Sequence, residues 1–243
     1  MSRIDKRIQK DLRKVRNILK NKFRHNLRAI ILYGSWMKGN ARKDSDIDLL
    51  IIFNRKGKNL ARKVHSLIGE MNSERDFSLV SASVKELEKE TIPLYTAVKK
   101  EGQIIYGKVD LTLNPEVPQI KYRDFFERSG KFEKEKIKTA EYLMKKGISS
   151  GISEFCCIAA KHAIQAGLAM EGVGFSSKFC ELIDWTQRYF GKELARAFRT
   201  LFKLYIKSEY KMQNLSKREN LLSIREAKRI LKEIYSKRTL RDK

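Results

Sequence analysis

Apolar and polar positions along this chain follow helical and strand periods in turn, and past residue 113 only the helical period remains. Over residues 4–23, Ile4, Ile8, Leu12, Val15, Leu19 and Phe23 recur at the spacing of one helix face, with lysine and arginine filling the rest. Two apolar runs follow, 29–33 and 47–53, with the length and composition of strands. Leu60, Val64, Leu67, Ile68 and Met71 mark a helix over 58–72, and 76–82 reads as a further strand. Ser83-Val84-Lys85-Glu86 has the form of a capping box, opening a helix that Pro93 interrupts. A helical turn over 94–100, Gly102, and a short strand over 103–106 closed by Gly107 complete this half. Together they predict a small mixed sheet with helices on one side. The basic N-terminal helix is expected to pack on that sheet, in preference to a membrane or RNA.

Pro115 and Pro118 fall within four positions, and everything beyond them is helical in pattern. Helices are expected over 124–146, 152–171, 177–189 and 192–212, with a last amphipathic one through Leu221, Ile224, Ala227, Leu231 and Ile234 and a basic tail, 237–243, that frays. Short turns join them, which predicts an up-and-down bundle. In the helix over 152–171, Ile158, His162, Ala166 and Ala169 read as one packed stripe, with His162 a core histidine. The predicted class is α+β: an N-terminal helix over 1–26, a sheet domain over 27–112, a linker over 113–118 and an all-α bundle over 119–243.

Candidate chemistry concentrates in 32–52, LYGSWMKGNARKDSDIDLLII. Alternate residues of a strand share a face, so Asp46 and Asp48 point one way while Ile47 points into the core. Such a carboxylate pair is most easily tolerated around a divalent cation. At the other end of the stretch, Gly34 permits close backbone approach, and Ser35 opens a short helical turn whose free N–H groups can hold phosphate. A triphosphate with Mg²⁺ is the ligand that uses both halves.

Gly34-Ser35, Gly39, Arg42, Ser45 and Asp46-Ile47-Asp48 resemble the G-S-x3-G-x2-R-x2-S-D-x-D pattern of the minimal nucleotidyltransferases of the DNA polymerase beta-like superfamily. The resemblance implies a nucleotidyltransferase that moves a nucleoside monophosphate, AMP from ATP in the first instance, onto an acceptor hydroxyl. It implies Mg²⁺ or Mn²⁺ on Asp46, Asp48 and a third carboxylate from a neighbouring strand. Asp76 is expected to be that third ligand and to act in catalysis, with Glu74 its competitor. Gly34 and Ser35 are expected to bind the nucleotide phosphates; Arg42 is expected either to add charge there or to tie the loop to Asp44. The helical half, through Cys156-Cys157-Ile158-Ala159-Ala160-Lys161-His162-Ala163 and the segment 205–210, resembles the HEPN domains that accompany minimal nucleotidyltransferases. Ribonuclease members of that family carry an Arg and a nearby His close to the fourth helix; here no histidine follows His162, which argues against that activity.

A formal net charge of +24 favours polyanionic partners and disfavours a small polycationic acceptor, so the expected acceptor lies on RNA or on a protein side chain. A nucleotide- or RNA-binding interaction protein of toxin–antitoxin type, with little turnover, is the alternative. The cysteines Cys156, Cys157 and Cys180 are too few and too apolar in setting for a disulfide framework or a zinc site, and a cytoplasmic location is expected. No transmembrane segment is expected. Homodimerisation through the helical half, with its apolar faces and Trp185, is expected.

Overall fold

The computed structural model describes residues 4–239, with the side chains of 237–239 left out. Of the basic tail expected at 237–243, residues 240–243 therefore lie outside the described residues. The chain divides into two compact units, Met1–Pro115 and Glu116–Lys243.

In the first unit, α1 (Lys6–Phe23) starts on Asp5, whose carboxylate accepts the Arg7 N–H. The chain continues through β1 (Leu27–Tyr33), a tight helical turn (Gly34–Trp36), β2 (Ile47–Phe53), α2 (Leu60–Gly69), β3 (Phe77–Ser83), α3 (Val84–Lys89), α4 (Pro93–Glu101) and β4 (Gln103–Gly107). The sheet order is β3-β2-β1-β4: β1 is antiparallel to β2 and β4, and β2 is parallel to β3. The capping box forms as the sequence predicts, with Ser83 and Glu86 exchanging bonds at the start of α3.

Helices cover both faces of this sheet, not one. Ile30 and Leu32 of β1, with Leu49, Ile51 and Phe53 of β2, pack on Ile8, Leu12, Val15 and Leu19 of α1 and on Leu60, Val64 and Ile68 of α2. The opposite faces of the same strands, Ala29 and Ile31 with Leu50 and Ile52, pack on Leu87 of α3 and on Tyr95 and Val98 of α4. The physical cue is the unbroken run Leu49–Phe53: a one-sided sheet alternates apolar and polar residues, whereas a central strand buried on both faces does not. Full burial of each such side chain contributes about 1.5–3 kcal/mol.

The second unit is entirely helical among its described residues: α5 (Pro118–Lys121), α6 (Arg123–Lys145), α7 (Ile152–Met170), α8 (Phe179–Phe190), α9 (Lys192–Tyr205) and α10 (Lys217–Thr239). The helix expected over 192–212 ends at Tyr205 and passes into a wider π-type turn, Ile206–Tyr210, closed by Lys211 N–H to the Ile206 carbonyl. α7 is the central element, packed against α6, α8, α9 and α10. Its buried surface is broader than one stripe: Cys156, Cys157, Ala159, Ala160, Ala163, Ile164, Ala166 and Leu168 are all enclosed, while Ile158 is only partly covered. Small residues permit this, since a Cβ on Gly167 would already lie 3.1 Å from Ile234 and Phe190.

His162 is not a core histidine. Its side chain is 42% exposed, and Nδ1 lies 3.0 Å from Oε1 of Glu133, a carboxylate 2% exposed that also accepts from Lys136 Nζ at 2.7 Å. A buried carboxylate requires partners, and the histidine is held at the surface to supply one. Trp185 packs partly buried against this unit's own core.

Candidate active site

The site forms where β1 ends and β2 begins. Tyr33 is the last residue of β1, and it pairs with Asp48 across the antiparallel ladder. Gly34 then turns the chain with φ +78°, a conformation costly to any side chain, and Met37 and Lys38 N–H groups close the turn on its carbonyl at 3.2 Å. The turn lies hard against Asp48: a Cβ on Gly34 would sit 2.1 Å from Asp48 Oδ2. Asp48 is half-buried there, within hydrogen-bonding reach of the Ser35 backbone N–H and the Ser78 hydroxyl. Burial pushes its carboxyl above the usual aspartate range, with the Asp46 charge adding to the rise and those two hydrogen bonds opposing it.

Asp46 and Asp48 share the sheet face that carries Leu50 and Ile52, since Ile47 and Leu49 lie in the core on the other side. Asp46 is exposed. Its backbone is anchored by Trp36, whose indole N–H donates to the Asp46 carbonyl at 3.0 Å and to the Ser45 carbonyl at 3.3 Å. Trp36 is buried, with the Arg7 guanidinium 4.9 Å and the Arg75 guanidinium 5.6 Å from its ring centroid. What fixes Arg42 is its backbone: its N–H donates to Ser45 Oγ at 2.8 Å and its carbonyl accepts the Ser45 N–H at 3.2 Å, while the residue is exposed.

Asp76 falls just ahead of β3, exposed, with its carbonyl accepting the Ile47 N–H at 2.9 Å. β2 and β3 run parallel and in register, Ile47 beside Phe77 and Asp48 beside Ser78. Asp76 is therefore level with Asp46, one residue pair further out, and the side chain presented to Asp48 is Ser78. Among the described residues no three His, Cys, Asp or Glu side chains gather closely enough to be a metal site as they stand. Glu74, the competitor, lies two residues ahead of Asp76, outside β3, and is exposed.

Tyr33, Asp48 and Ser78 form one row across three strands. Burial raises the Tyr33 phenol to about 12, the Asp48 charge adding to the shift, so it stays protonated and can donate. Sequence reasoning missed Tyr33, Trp36 and Ser78. The signal for Ser78 was available: counting by twos along β3 from Val80 and Ala82, which face the same core as Leu50, leads to Ser78. Tyr33 and Trp36 have no comparable signal, since their roles depend on the sheet pairing and on the return of the 36–46 loop.

Asp46 and Asp48 are oxygen donors of the kind a divalent cation takes. Two carboxylates on one face are the number that holds one Mg²⁺ together with substrate phosphates.

Residues 13–110 match the family model described as "Polymerase beta, Nucleotidyltransferase". Over 44 residues the chain is 41% identical to a candidate protein adenylyltransferase of Methanocaldococcus jannaschii, covering 18% of this chain and 44% of that one, so less than half of that relative's length is matched. A crystal structure of spectinomycin adenyltransferase AAD(9) from Enterococcus faecialis, with ATP and spectinomycin, aligns at 15% identity over 91% of this chain and 98% of that chain, with a TM-score of 0.48. A nucleotidyltransferase-like protein from Exiguobacterium sibiricum aligns at 14% identity over 91% of this chain and 74% of that chain, with a TM-score of 0.41. Neither structural likeness is close enough to carry an argument. No described helix is long and apolar enough to cross a membrane. The Gly34-Ser35 turn set against Asp46 and Asp48 lies inside the segment that is similar to the polymerase beta nucleotidyltransferase family model.

Proposed function

We propose that the first unit transfers a nucleoside monophosphate, AMP from ATP, to an acceptor hydroxyl, which attacks the α-phosphorus as pyrophosphate leaves. The observation that carries this reading is the wedge of Asp48 against Gly34, which brings a phosphate-binding turn and a carboxylate pair within one side chain of each other. Ser35 offers its hydroxyl to the departing phosphates, since its backbone N–H faces Asp48 and those of Met37 and Lys38 close on the Gly34 carbonyl. Asp46 and Asp48 would hold a divalent cation, Mg²⁺ or Mn²⁺, which supplies neutralisation of phosphate charge and a lower pKa for the acceptor hydroxyl. Trp36 steadies the Asp46 backbone through its indole N–H, and Tyr33 keeps a proton beside Asp48.

The acceptor we favour lies on RNA or on a protein side chain. The net charge of +24 supports that preference, and so does the name of the M. jannaschii relative, although that relative is matched over less than half its length. We read the second unit as a HEPN-like bundle on its five long helices, and propose that it selects the acceptor and pairs with a second copy.

Incubating the protein with ATP labelled at the α-phosphate, Mg²⁺ and a cell extract identifies the molecule that takes the label. Asp46→Asn with Asp48→Asn is expected to lower transfer on the order of a hundredfold or more. Full activity in that double variant would end the proposal.

A further inference from the structure

The second unit carries an apolar groove with a basic rim, about 490 Å³ in volume, between α6 and α10. We propose that this groove is a docking site for an acidic amphipathic helix of a partner protein. The inference stands apart from the transferase reading.

The two helices are antiparallel neighbours: the Tyr235 hydroxyl donates to Ser129 Oγ at 2.9 Å, and Lys228 pairs with Glu141 further along. Ile137 and Leu231, 4% and 5% exposed, form the floor with the ring of Tyr235. Above that floor the rim is cationic. Lys134 and Lys138 stand one turn apart on α6, Lys228 and Lys232 one turn apart on α10, and all four are exposed. A lysine so placed lays its methylene stem along the apolar wall and keeps its ammonium in water. Lys134 and Lys232 have no carboxylate partner among the described residues. Lys138 pairs with the exposed Glu135 at 2.7 Å, and Lys228 with Glu141, the one acid among the lining residues. The rim therefore keeps a surplus of positive charge.

Length and charge select the occupant. The lining spans 134–141 on α6 and 228–236 on α10, about 11 and 12 Å of helix axis, or two helical turns. Two turns accommodate the i, i+4 and i+7 side chains of a helix laid in the groove. Apolar side chains at those positions cover Ile137 and Leu231, and carboxylates beside them meet the four ammoniums. Nucleic acid would match the rim and leave the apolar floor unmatched. A second copy brings a formal charge of +24, and residues 237–243 of this chain bring Lys237, Arg238, Arg241 and Lys243 against Asp242 alone, so both add like charge to the rim.

Fluorescence anisotropy on the full chain tests this, with a labelled helical peptide of about 18 residues of leucine, alanine and glutamate, its leucines at i, i+4 and i+7. Micromolar binding is expected. A peptide of the same charge with serine for leucine should bind about tenfold more weakly or worse. Lys134→Glu with Lys232→Glu changes only exposed side chains, so the circular dichroism should be unaltered while affinity for the leucine peptide falls about tenfold or more. Lys63→Glu with Lys85→Glu makes the same charge change at exposed positions of the first unit and should leave binding nearly unchanged. Equal binding of the two peptides, equal loss in the two lysine variants, or no binding at about 100 μM peptide would overturn the inference. So would phosphatidylglycerol vesicles that bind through Lys134 and Lys232 when the peptide does not, or a wild-type dimer that dissociates in the Lys134→Glu, Lys232→Glu variant, because a lipid surface or a second copy would then be the occupant.

Discussion

Replacing Gly34 by alanine separates two physical effects that meet at this turn. The new Cβ would lie 2.1 Å from Asp48 Oδ2, and contacts below 3.0 Å essentially never occur, so the carboxylate must retreat by about 0.9 Å or the turn must open. A misplacement of about 1 Å at a reacting centre costs on the order of a hundredfold in rate. The substitution also places a side chain at φ +78°, a backbone cost of about 1–2 kcal/mol. Gly39 provides the control, because it has φ +71° but nothing within 4 Å of an added Cβ. Gly39→Ala should lose about the same stability in urea unfolding while transferring label from ATP at close to the wild-type rate. Gly34→Ala should lose both stability and about two decades of transfer. Equal activity in the two variants, each shown to be folded, would refute the claim that Asp48 is positioned by its contact with Gly34.

Glu90 and Lys99 form an ion pair 3.1 Å long with side chains 0% and 3% exposed, and Lys99 also donates to the Thr112 carbonyl at 2.7 Å. Glu90→Ala should therefore cost about 3–5 kcal/mol by urea unfolding, and Glu90→Leu with Lys99→Met should recover a large part of it. Lys207 and the Ser216 hydroxyl and N–H hold Glu219 well below the usual carboxylate range, at about 2 against an ordinary 4.5. A carboxyl depressed on folding contributes fully above its unfolded pKa, so the melting-temperature gap between wild type and Glu219→Gln should be constant above about pH 5 and close as pH falls from 4.5 towards 2. Cys180 is exposed, whereas Cys156 and Cys157 are buried with thiols pushed up to about 12. A disulfide reagent at pH 8 should titrate one thiol quickly and the other two only in denaturant.

Element identity and order were legible in the chain because they depend on local periodicity. The five-apolar run Leu49–Phe53, the capping box at Ser83 and Glu86, and the glycine at position 107 each act within a few residues of where they stand. The Asp46 and Asp48 pair and the Gly34-Ser35 turn were legible for the same reason, since strand alternation alone sets their common face. What tertiary structure decided is what depends on pairing between distant segments. Helices cover both sheet faces because α3 and α4 pack opposite α1 and α2. His162 is drawn to the surface by a carboxylate 29 residues away. The neighbour of Asp48 is Ser78, not Asp76, because the parallel register of β2 and β3 is set by how Phe77 and Leu79 pack with Ile47 and Leu49. A shift of one residue in that register would turn every side chain of β3 to the other face, and no local feature of the sequence reports which register is adopted.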